Sequence, residues 1–274
     1  MPELPELEAL RRTLGPRLQD QLVTAAEVNP KHAHLLRHPP EEFARSVPLR
    51  HVRSMWRRGK HLGWDLEDAG SHEVAHLVVN PMLGGRLQLV PRDVKPPGTW
   101  IFALRLESGE ELRYFDFRAM GRIYFTADLA EVPGWAELGP EADTVPALGL
   151  DTFRKRLRRY RDEVKDLLRN QAFLAGIGNA YSDEIAWAAK LLPLRRRSSL
   201  RPADEEALFE AIPSVLEAAI EAIVANPDYD ESKQDRTFMN VHGKGGGTCP
   251  RCGHRISQLG SKREPLNFCR GCQV

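Results

Sequence analysis

Leu4, Leu7 and Leu10 recur at helical spacing and predict an amphipathic helix over residues 3–14. The glutamates of this stretch fall early, where they suit the positive end of a helix dipole. Beyond it the apolar period shortens to that of strands. Leu77 to Val90 is an apolar run broken at Asn80-Pro81 and Gly84-Gly85. Trp100, Phe102, Leu104 and Leu106 alternate onto one strand face. Ser108-Gly109 reads as a turn, and Leu112 to Phe125 as the return. Short antiparallel strands of this kind predict a β-sandwich for the first half. Gly134 to Asp151, rich in Pro, Gly and Asp, reads as a linker. After it Phe153, Leu157, Val164, Leu167 and Leu168 restore helical spacing. Ser182–Ala189 and Asp204–Ala225 read as further helices, the second kinked or split at Pro213. Asn226 to Asn240 is polar and turn-rich and reads as a loop.

With 274 residues, the chain is long enough for two domains and a core without disulfide staples. No apolar run approaches the roughly 18 residues of a membrane span. MPELPELEAL lacks a basic leader and reads as no secretory signal. The net charge of +1 hides local imbalance. Between Asp151 and Leu200, 12 basic residues face 6 acidic ones, and Lys244–Val274 carries 6 basic residues against Glu264 alone. Arg53, Arg57, Arg58 and Lys60 form a third basic island. Three such islands fit a polyanion-binding face, or equally three solvated surfaces.

All four cysteines lie in the last 26 residues, as Cys249-Pro-Arg-Cys252 and Cys269-Arg-Gly-Cys272. Two CxxC knuckles at this separation match a zinc ribbon, with disulfides or a redox pair as the other readings. Four thiolates would close the coordination shell, making the one zinc ion structural and leaving His254 outside it. In Lys165–Pro193, Gly176 and Gly178 permit a tight turn before a helix beginning at Asn179. That helix start could offer amides to a phosphate, or simply join two helices.

Together, MPELPELE, RRGKHL at 57–62, AGIGNAYSDE at 175–184 and CPRC…CRGCQ resemble the formamidopyrimidine-DNA glycosylase/endonuclease VIII family. The resemblance spans Pro2 to Gln273. It implies an α+β fold: an N-terminal β-sandwich flanked by helices (1–138), a helix-two-turn-helix DNA-binding domain (139–240) and a zinc-ribbon hairpin (241–274). It implies a monomeric bacterial cytoplasmic glycosylase and AP lyase acting on damaged double-stranded DNA, with no membrane association. Its nucleophile would be the Pro2 amine, exposed by removal of Met1. An α-amino group has a pKa near ~8, well below that of lysine. Glu3 would be the acid/base, Glu6 a polar support, and Lys60 a hairpin lysine at a phosphate beside the lesion. Lys165 and Asn179 would contact further phosphates, with Tyr181 and Glu184 in support. Arg118 matches an intercalating arginine. Met120 stands where a wedge phenylalanine is usual, Leu83 where a void-filling methionine is usual, and Asn80 where a histidine is usual. Met82 competes with Leu83. Five residues before the third cysteine the family carries a phosphate-gripping arginine. Here that position is Glu264, with Arg263 beside it as the expected substitute. The chain thereby resembles an Fpg-like branch lacking that arginine, and a DNA-binding member with weak excision is the alternative.

Overall fold

The computed structural model describes residues 1–226, 230, 233–261 and 264–274. The chain forms two compact units. The first comprises Met1–Pro2, Glu6–Ala136 and Ile223–Gln234; the second comprises Glu3–Pro5, Glu137–Ala222 and Asp235–Val274.

The chain opens with α1 (Leu4–Leu18), longer than its early leucines indicate. Leu7, Leu10, Leu14 and Leu18 face the first unit's core, whereas Leu4 joins the core of the second. The first unit continues with β1 (Leu22–Val28), α2 (Pro40–Ser46), β2 (Arg50–Arg58), β3 (His61–Asp68) and β4 (Val74–Asn80). Then come β5 (Gly85–Pro91), β6 (Trp100–Leu106), β7 (Glu110–Asp116) and β8 (Arg122–Thr126). All pairings are antiparallel, in the order β5-β7-β6-β1-β2-β3-β4-β8. β1 and β2 share only the pairs Leu22–His51 and Val23–Arg50. Across this narrow seam the sheet folds into two four-stranded layers. Phe43 of α2 contacts Phe102 of β6 and Phe125 of β8, with ring centroids 6.0 and 5.8 Å away. One helix side chain therefore plugs both layers, and the apolar alternation that predicted a sandwich is buried between them.

Two strand expectations need correction. The stretch Leu112–Phe125 is not one returning strand. β7 ends at Asp116 and pairs with β5 and β6, whereas β8 pairs with β4. An exposed turn at residues 117–120 carries the chain between them. Trp100 does not share a face with Phe102. An irregularity between them shifts the register, so Trp100 opposes Phe115 and Phe102 opposes Tyr114. A bulge flips side chains on one side of it relative to the other.

The second unit contains α3 (Val145–Leu148), α4 (Leu150–Leu157), α5 (Val164–Arg169), α6 (Asn179–Ala188) and all but the last two residues of α7 (Pro202–Val224). A hairpin of β9 (Ile256–Gly260) and β10 (Pro265–Cys269) closes the chain. The expected linker is packed structure in its second half, since Ala142 and Val145 are fully buried. Pro213 does not split α7, which runs unbroken for 23 residues. Leu208, Ile212, Leu216 and Ile220 form a fully buried stripe through it. That burial outweighs the one backbone bond that proline removes. The described residues between Asn226 and Asn240 form no helix or strand; residues 227–229 and 231–232 of that expected loop lie outside the described residues.

Candidate active site

The turn before α6 is built for close approach. Gly176 adopts φ 106°, and its carbonyl accepts from the Leu4 amide at 3.0 Å. Gln171 braces the same turn: its Nε2 donates to the carbonyls of Arg169 and Ile177, and its Oε1 accepts from the Gly176 amide. A Cβ at Gly178 would lie 2.5 Å from Glu3 Cδ, so only glycine leaves room for that carboxylate. Glu3, 1% exposed, accepts from the amides of Gly178 (2.6 Å), Ala180 (2.9 Å) and Tyr181 (3.4 Å). Arg236 Nη2 stands 3.6 Å from its Oε1. The helix start that could have cradled a phosphate therefore holds the chain's own carboxylate, which satisfies donors that a helix otherwise leaves unpaired.

Pro2 is buried within the first unit, and its nitrogen is acylated by Met1. Gln234 Nε2 donates to the Met1 carbonyl at 3.1 Å and to Glu6 Oε1 at 2.9 Å. Arg86 Nη2 approaches Gln234 Oε1 at 3.5 Å. Lys60 lies at the tip of the β2–β3 hairpin, next to Gly59 at φ 54°. Arg57 links that hairpin to α1, donating to Glu8 Oε2 at 3.3 Å and to the Gly59 carbonyl at 3.3 Å. Burial pushes the Glu8 carboxyl up, but Arg11, Arg12 and Arg57 together hold it below its ordinary value.

Leu83 and the Arg118/Met120 turn are brought together. Asn80 Oδ1 accepts from the Met82 amide at 3.1 Å, capping the turn after β4. A Cβ on Gly84 would come within 2.8 Å of the Arg118 side chain, so the two turns touch. Asp116, 1% exposed, accepts from the amides of Arg118 (2.8 Å), Met120 (2.9 Å) and Gly121 (2.6 Å). The result is an apolar tip with Leu83 40%, Phe117 56% and Met120 42% exposed. Met82 is only half-buried beside the more exposed Leu83. Phe117 was missed by sequence reasoning; an aromatic inside a turn was its signal. Arg86 lies over its ring at 5.4 Å.

Lys165 and Asn179 converge on the hairpin. Lys165 Nζ pairs with Asp183 at 2.5 Å and approaches the Pro265 carbonyl at 3.4 Å, to which Asn179 Nδ2 donates at 3.0 Å. Lys165 is buried rather than open. Asp183 also accepts from the Asn267 amide and contacts His242 Nδ1, while Glu184 accepts from the amides of Asn240, Val241 and His242. Glu184 is thus engaged in holding the backbone at residues 240–242. Glu264 is exposed and pairs with Arg169 at 3.3 Å. Arg263 lies outside the described residues. Much of the basic island at 151–200 is internally engaged: Arg154 with Glu205, Arg195 with Asp204, Arg156 and Arg197 with backbone carbonyls.

Cys249, Cys252, Cys269 and Cys272 place their sulfurs within 4.8 Å of one another. The Cys249–Cys272 and Cys252–Cys269 separations are 3.8 and 3.4 Å. A disulfide needs about 2.05 Å. A tetrahedral zinc with bonds of about 2.3 Å needs sulfurs about 3.8 Å apart. The donor set therefore fits a metal ion. Trp187 Nε1 donates to Cys249 Sγ at 3.4 Å, and Arg251 stacks over that indole at 3.9 Å. Burial raises the Cys249 thiol, yet this bond and nearby amides bring it down to about 6. Burial and the neighbouring thiols push Cys272 up to about 12. His254 is not among the clustered donors.

Residues 1–123 match the model of the formamidopyrimidine-DNA glycosylase N-terminal domain, and residues 138–226 that of the formamidopyrimidine-DNA glycosylase H2TH domain. A formamidopyrimidine-DNA glycosylase of Herpetosiphon aurantiacus is 34% identical over 283 residues, covering 100% of both chains. One from Thermomicrobium roseum is 36% identical over 293 residues, covering 100% of this chain and 99% of its own. Among solved structures, the Lactococcus lactis Fpg complex with abasic-site DNA aligns with TM-score 0.85, 25% identity and 99% coverage of both chains. MutM in complex with carbocyclic 8-oxo-G DNA aligns with TM-score 0.85, 25% identity and 100% coverage of both chains.

Proposed function

Because the chain belongs to the formamidopyrimidine-DNA glycosylase family, we propose that it is a base-excision DNA glycosylase with AP-lyase activity, working through an imine at Pro2. Its substrate is damaged double-stranded DNA. It acts as a monomer in the bacterial cytoplasm, with the division 1–138, 139–240 and 241–274 separating catalysis, DNA binding and zinc finger. Among the described residues no helix is long and apolar enough to cross a membrane.

The observation that carries the reading is Glu3, a carboxylate immediately following Pro2 and held rigid by three amides of the glycine turn. Once Met1 is removed, the Pro2 nitrogen bonds to the sugar C1′, and the bond from C1′ to the damaged base breaks with its electron pair. Glu3 gives a proton to the ring oxygen O4′, the C1′–O4′ bond breaks with its electron pair going to that oxygen, and the nitrogen lone pair closes the C=N bond of the iminium. The resulting imine acidifies the adjacent C2′–H, and β- then δ-elimination cut the strand. Lys60 faces a phosphate beside the lesion. Leu83, Arg118 and Met120 fill the gap left by the rotated nucleotide. Their clustering on one exposed, carboxylate-capped tip supports that role. Lys165 and Asn179 contribute to the DNA face chiefly by holding the hairpin at Pro265, and Arg263 supplies a positive charge for the phosphate backbone. Zinc bound by the four cysteines would supply the folding energy of a hairpin too small to build its own core.

Glu264 favours a second reading, a family member that binds damaged DNA but excises weakly. An exposed carboxylate on the hairpin weakens a phosphate grip. Borohydride trapping on a duplex with one abasic site separates the two, using protein confirmed by mass to begin at Pro2. A covalent adduct is expected from the wild type, and strand cleavage is expected to be lost in Pro2→Gly and Glu3→Gln with DNA binding nearly intact. Tight binding without an adduct would replace the first reading by the second. Affinity should also fall steeply with salt.

A further inference from the structure

The Met1–Pro2 peptide bond contains a likeness of the reaction. Its carbonyl carbon is bonded to the Pro2 nitrogen and carries one oxygen. In the imine chemistry proposed above, on which this inference rests, C1′ takes that carbon's place on the nitrogen. The oxygen borne by C1′ then takes the place of the Met1 carbonyl oxygen. That oxygen accepts a hydrogen bond from Gln234 Nε2 at 3.1 Å.

We propose that Gln234 is a catalytic residue of the first unit, donating a hydrogen bond to the oxygen on C1′ as Pro2 attacks. The carboxamide is oriented for this. Its other N–H direction is taken by Glu6 Oε1 at 2.9 Å, and Arg86 approaches its oxygen at 3.5 Å. With a cation on the oxygen side and a carboxylate on the nitrogen side, the amide has one sensible orientation. On an abasic aldehyde the amine lone pair forms the N–C1′ bond while the C=O π pair moves onto oxygen. The amine proton passes to that oxygen through solvent. A further proton releases it as water, leaving the iminium. Gln234 neither gains nor loses a proton; it stabilises charge as it develops on the oxygen, as an oxyanion-hole donor does. Arg86 also lies over Phe117, so the same chain of contacts reaches from the exposed tip to the N-terminus.

The test compares wild type, Gln234→Leu and Gln234→Glu, each confirmed to begin at Pro2. The first readout is the single-turnover rate of borohydride trapping on an abasic duplex. The second is affinity for a duplex carrying tetrahydrofuran, an abasic analogue without the C1′ hydroxyl. Both variants are expected to trap roughly tenfold to a hundredfold more slowly, with tetrahydrofuran affinity within about twofold of wild type. Glu keeps the size but cannot donate when ionised, so it separates donation from packing. Wild-type trapping rates in both variants would overturn the proposal, as would affinity falling in parallel with rate. If wild type itself gives no adduct, the imine reading fails and this inference with it.

Discussion

Asp116 is the point at which a single substitution should loosen the exposed tip of the first unit. Its buried carboxylate accepts three amide bonds, from Arg118, Met120 and Gly121, at 2.6–2.9 Å. Hydrogen bonds to a charged group are each worth about 1.5–3 kcal/mol, which bounds the set at roughly 4.5–9 kcal/mol. Arg118 and Met120 are exposed, however, and their amides regain water if the turn opens. Only the Gly121 amide is fully buried. Asp116→Ala is therefore expected to cost about 2–4 kcal/mol, well above the ~0.5 kcal/mol of an ordinary surface change. Asp116→Asn keeps one acceptor oxygen and should fall between. Urea unfolding would show a lower midpoint at unchanged slope. Competition between abasic and undamaged duplexes would show reduced discrimination, because the residues proposed to fill the gap lose their fixed position. A loss below about 0.5 kcal/mol with discrimination intact would refute the view that this carboxylate organises the tip.

Gly178→Ala should displace Glu3, since the new methyl would lie 2.5 Å from its Cδ; abasic-strand cleavage should collapse, and wild-type cleavage rates would contradict the cap. Glu8 titrates below its ordinary value, so its contribution to stability is present above about pH 4.5 and is lost as pH falls through the lowered folded value. Glu8→Gln should flatten the dependence of the urea midpoint on pH in that acidic window, and an unchanged acid slope would count against the Arg11, Arg12 and Arg57 cluster. Chelating the metal should change Trp187 fluorescence, because its indole donates to Cys249, and should weaken DNA binding; unaltered affinity would remove the hairpin from the interface. Glu264→Gln should release Arg169 from this ion pair and raise DNA affinity at low salt, an effect expected to be smaller in the Arg169→Gln background.

The cysteine spacing announced four convergent thiols because CxxC geometry is local. The glycines at 176 and 178 announced a tight turn for the same reason. What that turn holds was not legible from the turn itself: Glu3 lies 175 residues upstream of Gly178. Gln234, Asp116 and Arg169 share this limit. Each is an ordinary polar residue locally, and only distant or turn-made partners give it a task. Trp100 was misplaced because one bulge breaks a perfect alternation, and Pro213 because the stripe of leucines and isoleucines around it is stronger than its breaker signal. The charge islands were visible but not their engagement, since an arginine on an internal carbonyl and one awaiting a phosphate look alike in sequence.

The long reach of the first residues also sets a timetable. Glu3 settles only when Gly178 and Ala180 exist, and Met1 meets its partner only when Gln234 does. At a synthesis rate of about 5–20 residues per second, the N-terminus waits roughly ten to forty seconds for those partners. During that interval its first residues lack those partners and lie open to the peptidase that the proposed chemistry requires. Afterwards Pro2 is buried and the Met1 carbonyl is tied down. Translation speed and aminopeptidase supply would thus decide what fraction of molecules ever acquires a reactive amine, so two preparations of identical sequence and fold can differ in active-site titre.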